Sequence, residues 1–177
     1  MQIEVKFSGT SLSAWAEKIA TLGAQADVEM ARGLNDAGDI VRTQVRRAMK
    51  DQMGVLRYAI VVDATASIPA SPGRLTYSIT ATGKGLPIVD FPVSASPGGP
   101  VTASPWGVAH TFTRSFKTTR KGRLLARRTA SRFPVRSLRG PSPAKELVKD
   151  ASLATFEAAV PAIVEPTIMR RLVRLMP

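Results

Sequence analysis

Apolar residues recur at steps of three and four over residues 24–50, which predicts one long helix with a single buried stripe. Acidic residues lie in the first part of this segment and basic residues in the last part, an order that suits the helix macrodipole. Gly54 is predicted to end the helix. The stripe consists of Ala24, Val28, Ala31, Leu34, Ala37, Val41, Val45 and Ala48.

Two elements are predicted before the long helix. Polar and apolar residues alternate in "QIEVKF", which is typical of a short strand. Thr10 or Ser11 is the predicted N-cap of a helix that carries Leu12, Trp15, Ile19 and Leu22 at helical spacing. The N-terminal "MQIEVKFSG" has no apolar core like that of a signal peptide, so we expect no signal peptide.

Alternation predicts several antiparallel strands within residues 75–138. "LTYSITA" alternates strictly, "LPIVDF" is a second short strand, and "GVAHTFTRSFK", "GRLLARR" and "FPVRSL" follow. The last three would form a basic hairpin and a third strand, because apolar residues interleave with the arginines as a half-buried sheet requires. "VLRYAIVVDA", which precedes this region, is ambiguous between a helical turn and a strand.

Residues 143–175 are predicted to form a C-terminal helical region. Ser142 suits the N-cap and Pro143 the first helical position. Pro161 and Pro166 are expected to kink or break the helix. "MRRLVRL" has the pattern of an amphipathic membrane helix, but it is short, so packing on the sheet or on a neighbouring subunit is favoured.

These elements predict an α+β fold in one domain spanning residues 1–177. N-terminal helices and a C-terminal helix would pack on a mostly antiparallel β-sheet with long loops. A chain of 177 residues suits a single domain with a sizeable core. No apolar run approaches the roughly 18 residues of a spanning helix, so we expect a soluble protein without membrane contact.

The charge is distributed unevenly along the chain. The net charge is +12, yet residues 91–145 alone hold eleven basic residues and no acidic one. Such a block produces a positive field that attracts an anionic partner. The candidate surface for an anionic partner or DNA consists of Arg114, Lys117, Arg120, Lys121, Arg123, Arg127, Arg128, Arg132, Arg136 and Arg139.

Three interpretations of this block remain open. The cations could contact DNA phosphates, which requires no base-reading geometry. They could dock onto an acidic protein surface, where charge supplies on-rate and register. They could also form a solvated sheet face, although eleven bases without one acid disfavour that interpretation. Aromatic residues are too scarce in the block for a platform that stacks single-stranded bases.

Enzyme chemistry finds no support in the residue pattern. His110 is the only histidine and there is no cysteine, which disfavours a catalytic triad and a metal site alike. "GKG" at residues 83–85 lacks the spacing of a phosphate-binding P-loop. We therefore expect no enzyme, no metal and no cofactor, and interpret His110 as an ordinary strand residue.

The segment "LPIVDF", "VTASPWGVAHTFTRSFK", "GRLLARR" and "SRFPVRSLRGPSPAKEL" resembles the bacteriophage minor tail protein Z family, the tail completion proteins of lambda-like siphophages. The most specific piece is Phe133-Pro134-Val135, followed by Leu138 and by Gly140-Pro141-Ser142. The resemblance covers most of the chain, although distinctive residues lie only within 86–147.

The resemblance implies a structural virion protein at the head-proximal end of the tail, present in the host cytoplasm during assembly. It would join or complete the tail and help to seat the DNA end, as a homo-oligomer in a hexameric ring. Tail terminator and head–tail connector proteins are the implied partners, and genomic double-stranded DNA is another. A basic double-stranded nucleic-acid-binding protein is the alternative. In a ring, the Ser/Pro/Gly-rich loop would reach the next subunit through Ser94, Pro97, Gly98, Gly99 and Pro100.

Overall fold

A computed structural model of the chain describes residues 2–6, 23–95, 99–118 and 123–175, the first of these ranges in backbone only. The helix predicted to begin at Thr10 or Ser11 lies outside these residues. The described helices are α1 (Ala24–Met53), α2 (Tyr58–Ala64), α3 (Pro143–Leu147), α4 (Asp150–Ala159) and α5 (Glu165–Val173). The described strands are β1 (Gln2–Lys6), β2 (Thr65–Ile68), β3 (Thr76–Ala81), β4 (Val93–Ala95), β5 (Val101–Ala103), β6 (His110–Phe112), β7 (Ser115–Lys117), β8 (Leu124–Arg127) and β9 (Val135–Ser137). The predicted α+β class is confirmed.

The long helix α1 follows the predicted stripe and extends beyond it. The stripe residues from Ala31 to Val45 are buried, and the buried face continues through Met49 to Met53. Gly54 ends the helix as predicted, with φ of 72° in the left-handed region that favours glycine. Its N–H donates to the carbonyls at the end of the helix, which would otherwise lack partners.

The helix α1 lies between a sheet and the C-terminal helices. Gly38 faces the ring of Tyr77 on β3, and Gly33 faces Ile168 on α5. The absence of a side chain at both glycines lets the neighbouring elements approach the helix backbone closely. The core therefore extends along both sides of α1.

The first sheet has the strand order β1-β3-β2 and is antiparallel throughout. Its central strand β3 confirms the prediction from "LTYSITA", and Tyr77 and Ile79 are fully buried on it. The ambiguous segment before it divides into two elements, because α2 ends at Ala64 and β2 begins at Thr65.

The remaining strands form two further antiparallel sheets instead of joining the first one. Their orders are β4-β5-β6 and β7-β8-β9. The alternating segment "GVAHTFTRSFK" splits into β6 and β7, because a turn intervenes in which Arg114 adopts a φ of 57°. The expectation of one sheet over residues 75–138 was therefore wrong in this detail, since alternation does not reveal where a chain turns from one sheet to another.

The prediction of a strand in "LPIVDF" was wrong. Ile88–Asp90 form a 3-10 turn that is closed by the bond from the N–H of Asp90 to the carbonyl of Pro87. Just before the turn, Leu86 exchanges backbone hydrogen bonds with the chain at Gly140 and Pro141. Pro87 starts the turn with its fixed φ and offers no N–H to a continuing ladder.

The C-terminal region is helical as predicted, but its prolines do not break it. Residues 160–164 form a π-helical turn that contains Pro161, and Pro166 lies in the first turn of α5. A wider turn lets the helix continue past a residue that lacks an N–H. Ser142 precedes α3 as expected, yet its hydroxyl donates to the carbonyl of Gly83 (3.0 Å) instead of capping the helix.

The amphipathic helix α5 packs against α1 and not on the sheet. Ile168 and Leu172 are buried in the core, and Arg171 binds the carboxylates of Glu29 and Asp36 on α1. The expectation that this helix packs on the sheet or on a neighbouring subunit was therefore wrong, because its apolar face packs on α1 of the same chain. Among the described residues, no helix combines the length and apolar character needed to cross a bilayer.

Candidate docking surface

Eight of the ten predicted cations lie in the described residues, and all eight side chains are exposed. They occupy β7, β8, β9 and the adjoining turns, so the third sheet carries them together. Arg120 and Lys121 lie outside the described residues. We call the eight residues the basic surface: Arg114, Lys117, Arg123, Arg127, Arg128, Arg132, Arg136 and Arg139.

The alternation of β8 explains why apolar and basic residues can share this sheet. Leu124 and Ala126 are buried, whereas Leu125 is half-buried and Arg127 is exposed. The ladder places Phe116 opposite Leu125 on the outer side of the sheet. The sheet thus contributes one side to the core and leaves the other to solvent or a partner.

The charges of the basic surface are not balanced by ion pairs in the part of the chain that the structure describes. Each ion pair there joins residues of the helical half, for example Arg42 with Asp39 and Lys149 with Glu146. The hydrogen bond and charge of Glu146 raise the pKa of Lys149. The basic surface has no such compensation, so its field reaches solvent.

Two arginines of this surface lie over aromatic rings. The guanidinium carbon of Arg127 is 5.3 Å from the ring centre of Phe116, and that of Arg132 is 5.8 Å from the ring centre of Phe133. Both distances are within the range of cation–π attraction. Such stacking holds a guanidinium in position while its N–H groups remain free to bind an anion.

A groove with an apolar floor lies beside the basic surface. It consists of one cavity of about 210 Å³ and another of about 300 Å³, and both are lined by Val89 and Leu124. Arg123 and Arg139 line the first cavity, and Lys117 lines the second. We call it the cation-rimmed groove.

Backbone hydrogen bonds fix the shape of the cation-rimmed groove. The N–H of Leu138 donates to the carbonyl of Leu124 (3.2 Å), and the N–H of Ile88 donates to the carbonyl of Leu138 (3.2 Å). The 3-10 turn is thereby attached to the end of the third sheet. Arg139 is held in turn, because its Nη1 donates to the carbonyl of Gly85 (2.9 Å).

Asp90 is the acidic residue that precedes the basic block in the sequence. It ends the 3-10 turn, and its backbone carbonyl accepts the N–H of Leu56 (3.0 Å). Burial raises the pKa of Asp90, and the charge of Arg57 partly opposes that effect.

The predicted inter-subunit loop and the basic surface meet in the structure. Gly99 and Pro100 line a surface cavity of about 440 Å³ together with Arg114 and Arg127. Ser94 is exposed on β4, and Pro97 and Gly98 lie outside the described residues. Gly99 and Pro100 of this loop therefore adjoin the cations.

His110 begins β6, as the strand interpretation predicted. Its exposed side chain lies edge-on to Trp106, with ring centres 6.4 Å apart and an interplanar angle of 75°. Within the described ranges, no group of three or more His, Cys, Asp or Glu residues is arranged to hold a metal.

Sequence reasoning missed the apolar part of the surface. Val89 is 49% exposed and Val93 is 37% exposed, and neither of them was predicted to belong to the candidate surface. The sequence did contain a signal. "LPIVDF" contains a proline and has apolar residues at both ends, which does not fit one alternating strand. It could not show that Leu124, distant in sequence, lines the same cavities.

The comparisons with known proteins leave the family open. A scan against models of known protein families finds no match, and searches of curated proteins and of solved structures find none either. The resemblance to the minor tail protein Z family therefore stays a prediction.

Proposed function

We propose that this chain is a structural virion protein that acts at the head–tail junction of a phage. It joins or completes the tail, helps to seat the DNA end and works as a ring of identical subunits. The observation that carries the proposal is the basic surface, eight exposed cations without an ion pair among the described residues. The resemblance in residues 86–147 supplies the place of action.

A docking role suits both the chemistry and the architecture of the third sheet. Charge complementarity raises the rate of encounter and selects one register between partners. An open three-stranded sheet also has two edge strands, which offer backbone groups to another chain. Both features support assembly with acidic tail terminator or connector proteins and with further copies of the chain.

Binding of double-stranded DNA is the second candidate. Exposed guanidinium groups bind the oxygens of phosphates in the same way as they bind the oxygens of carboxylates. The cation–π contacts of Arg127 and Arg132 leave their N–H groups available for either anion. Phosphate contacts predict an affinity that falls steeply with salt, because each contact releases counterions.

The proposal is tested by deleting the gene in a phage that encodes this chain and by scoring particles with electron microscopy and infectivity. We expect complete heads and tails that stay unjoined, or joined particles that do not infect. Fully infectious particles would refute the role at the head–tail junction and would favour DNA binding as the function.

Complementation then tests the basic surface. Serine replaces Lys117, Arg128, Arg132 and Arg136 in one variant, and in the matched control it replaces Lys84, Arg47, Arg170 and Arg174, which are also exposed. Both variants lose one lysine and three arginines. We expect only the control to restore joining; equal rescue by both would remove the basic surface from the docking role.

A further inference from the structure

The cation-rimmed groove combines cations, which suit a phosphate as well as a carboxylate, with apolar side chains, which a phosphate-binding surface does not need. Its floor exposes Val89 and Val93, and its rim carries Lys117, Arg123 and Arg139. A DNA backbone presents sugars and charged phosphates, which gain little from contact with valine side chains. An apolar centre with a polar rim is instead the usual anatomy of a protein–protein contact.

The size of the cavity lined by Ile88 and Leu138 indicates what enters it. An engineered apolar cavity of about 150 Å³ holds a benzene molecule. The cavity beside Ile88 and Leu138 has about 210 Å³ and a mostly apolar lining, so it accommodates one leucine or phenylalanine side chain. A single apolar anchor that becomes desolvated on binding supplies much of the energy of many interfaces.

The rim determines the charge of the occupant. Lys117 lies opposite Leu124 in the ladder and Arg123 precedes Leu124, so both cations flank the same floor residue. Arg139 is held on the other side by its bond to the carbonyl of Gly85. Among the described residues none of the three forms an ion pair, so carboxylates of a partner would meet free cations.

We propose that the cation-rimmed groove binds an acidic segment of another virion protein, with a leucine or phenylalanine of that segment in the cavity beside Ile88 and Leu138. This rests on the proposed function and deepens it, because it names the chemistry of the partner. Carboxylates before and after the apolar anchor would pair with Lys117, Arg123 and Arg139.

The test uses the full chain and two synthetic peptides. One is a short run of glutamates with a central pair of leucines, and the other has serines in place of the leucines. Titration calorimetry should show that the leucine peptide binds at least about tenfold tighter, as expected for one buried leucine side chain. Equal affinity for the two peptides would overturn the proposal.

Two double variants locate the binding. Val89→Ser with Val93→Ser removes exposed apolar groups of the groove, and Val108→Ser with Val173→Ser removes exposed apolar groups elsewhere. We expect about a tenfold loss of leucine-peptide affinity in the first pair and none in the second. Because all four valines are exposed, both variants should keep the unfolding temperature of the unchanged protein; equal binding by both would refute the site.

Two other occupants are separated by further measurements on the same variants. A short double-stranded DNA should bind the Val89→Ser/Val93→Ser variant and the unchanged protein equally. If this variant lost DNA affinity as well as peptide affinity, the groove would bind nucleic acid and the proposal would be overturned. Sedimentation should show the same oligomeric state for both, since a loss of self-association would make a second copy the occupant. Peptide binding is measured on the purified protein, so its result is independent of the gene deletion. The leucine peptide can fail to bind although the deletion gives unjoined tails, and it can bind although the deletion leaves the particles infectious.

Discussion

The ring of Tyr77 lies so close to Gly38 that a Cβ at this glycine would stand 2.5 Å from Tyr77 Cγ. The ring cannot move away, because Tyr77 is 1% exposed and its hydroxyl donates to Asp39 Oδ1 (2.7 Å). Burial raises the pKa of Tyr77, so the hydroxyl remains a donor at neutral pH. This contact fixes the distance between α1 and the first sheet.

Gly38→Ala is therefore expected to destabilise the protein despite the better helix propensity of alanine. Overpacking a core costs about 1–3 kcal/mol, whereas alanine gains at most about 1 kcal/mol over glycine in a helix. We expect a net loss of up to about 2 kcal/mol in the free energy of unfolding, measured by urea denaturation, because three ring atoms of Tyr77 would lie within 2.7 Å of the new Cβ. Gly73→Ala is the control, since a Cβ there meets nothing within 4 Å. A Gly38→Ala protein as stable as its control would contradict the contact.

A second prediction concerns the buried polar cluster between α1 and the C-terminal helices. Gln52 Nε2 donates to Glu146 Oε2 (2.8 Å), and Gln52 Oε1 accepts both the N–H and the hydroxyl of Ser152. Glu146 and Ser152 are buried, so each would lose a partner that water cannot replace.

Gln52→Ala should thus lower the free energy of unfolding by about 1–3 kcal/mol. Gln44→Ala is the matched control, because Gln44 is exposed on the same helix. Thermal and urea unfolding of the two variants would give the difference. If the two substitutions lower the free energy of unfolding equally, the cluster does not connect α1 to α3 and α4.

The elements that the sequence predicts correctly are those with strong local patterns. The stripe of α1 and the stop at Gly54 follow from spacing within one segment, and β3 follows from strict alternation. The failures depend on distant residues. The chain at Gly140 and Pro141 pairs with Leu86 before the 3-10 turn, and no pattern within "LPIVDF" shows this.

The candidate site divides in the same way. The charge block predicts which residues are exposed, because arginine and lysine without acidic partners rarely enter a core. The groove could not be predicted, since Val89 and Leu124 become neighbours only through the bonds that join Ile88, Leu138 and the third sheet. Periodicity assigns a residue to a face of its own element but not to a neighbour elsewhere in the chain.

A third prediction follows from the ion pairs of Glu29. Hydrogen bonds from Arg32 and Arg171 lower the pKa of Glu29 below its usual value of 4.5. A lowered pKa in the folded state stabilises the protein fully above the unfolded value and is lost as the pH falls through the folded one. Glu29→Gln should therefore lower the unfolding temperature at pH 7, and the difference from the unchanged protein should shrink below pH 4.5.

Glu157→Gln controls for the loss of one carboxylate, because Glu157 is exposed and forms no ion pair among the described residues. Its unfolding temperature should follow that of the unchanged protein at every pH. A Glu29→Gln difference that stays constant down to acid pH would show that the ionised carboxylate of Glu29 is not its cause.

The last prediction concerns the basic surface and double-stranded DNA. The slope of log affinity against log salt falls by about 0.9 for each phosphate contact that is lost. If the third sheet contacts the duplex, the variant with serine at Lys117, Arg128, Arg132 and Arg136 should lose slope as well as affinity. The control with serine at Lys84, Arg47, Arg170 and Arg174 removes the same charge from exposed positions elsewhere. Fluorescence anisotropy with a short duplex at salt concentrations from about 50 to about 200 mM measures the affinity and its salt slope.

Because the net charges of the two variants are equal, a larger loss of affinity and slope in the first variant assigns the DNA contact to the third sheet. Equal losses would mean that the duplex senses only the overall charge of the protein, which would leave the basic surface to a protein partner.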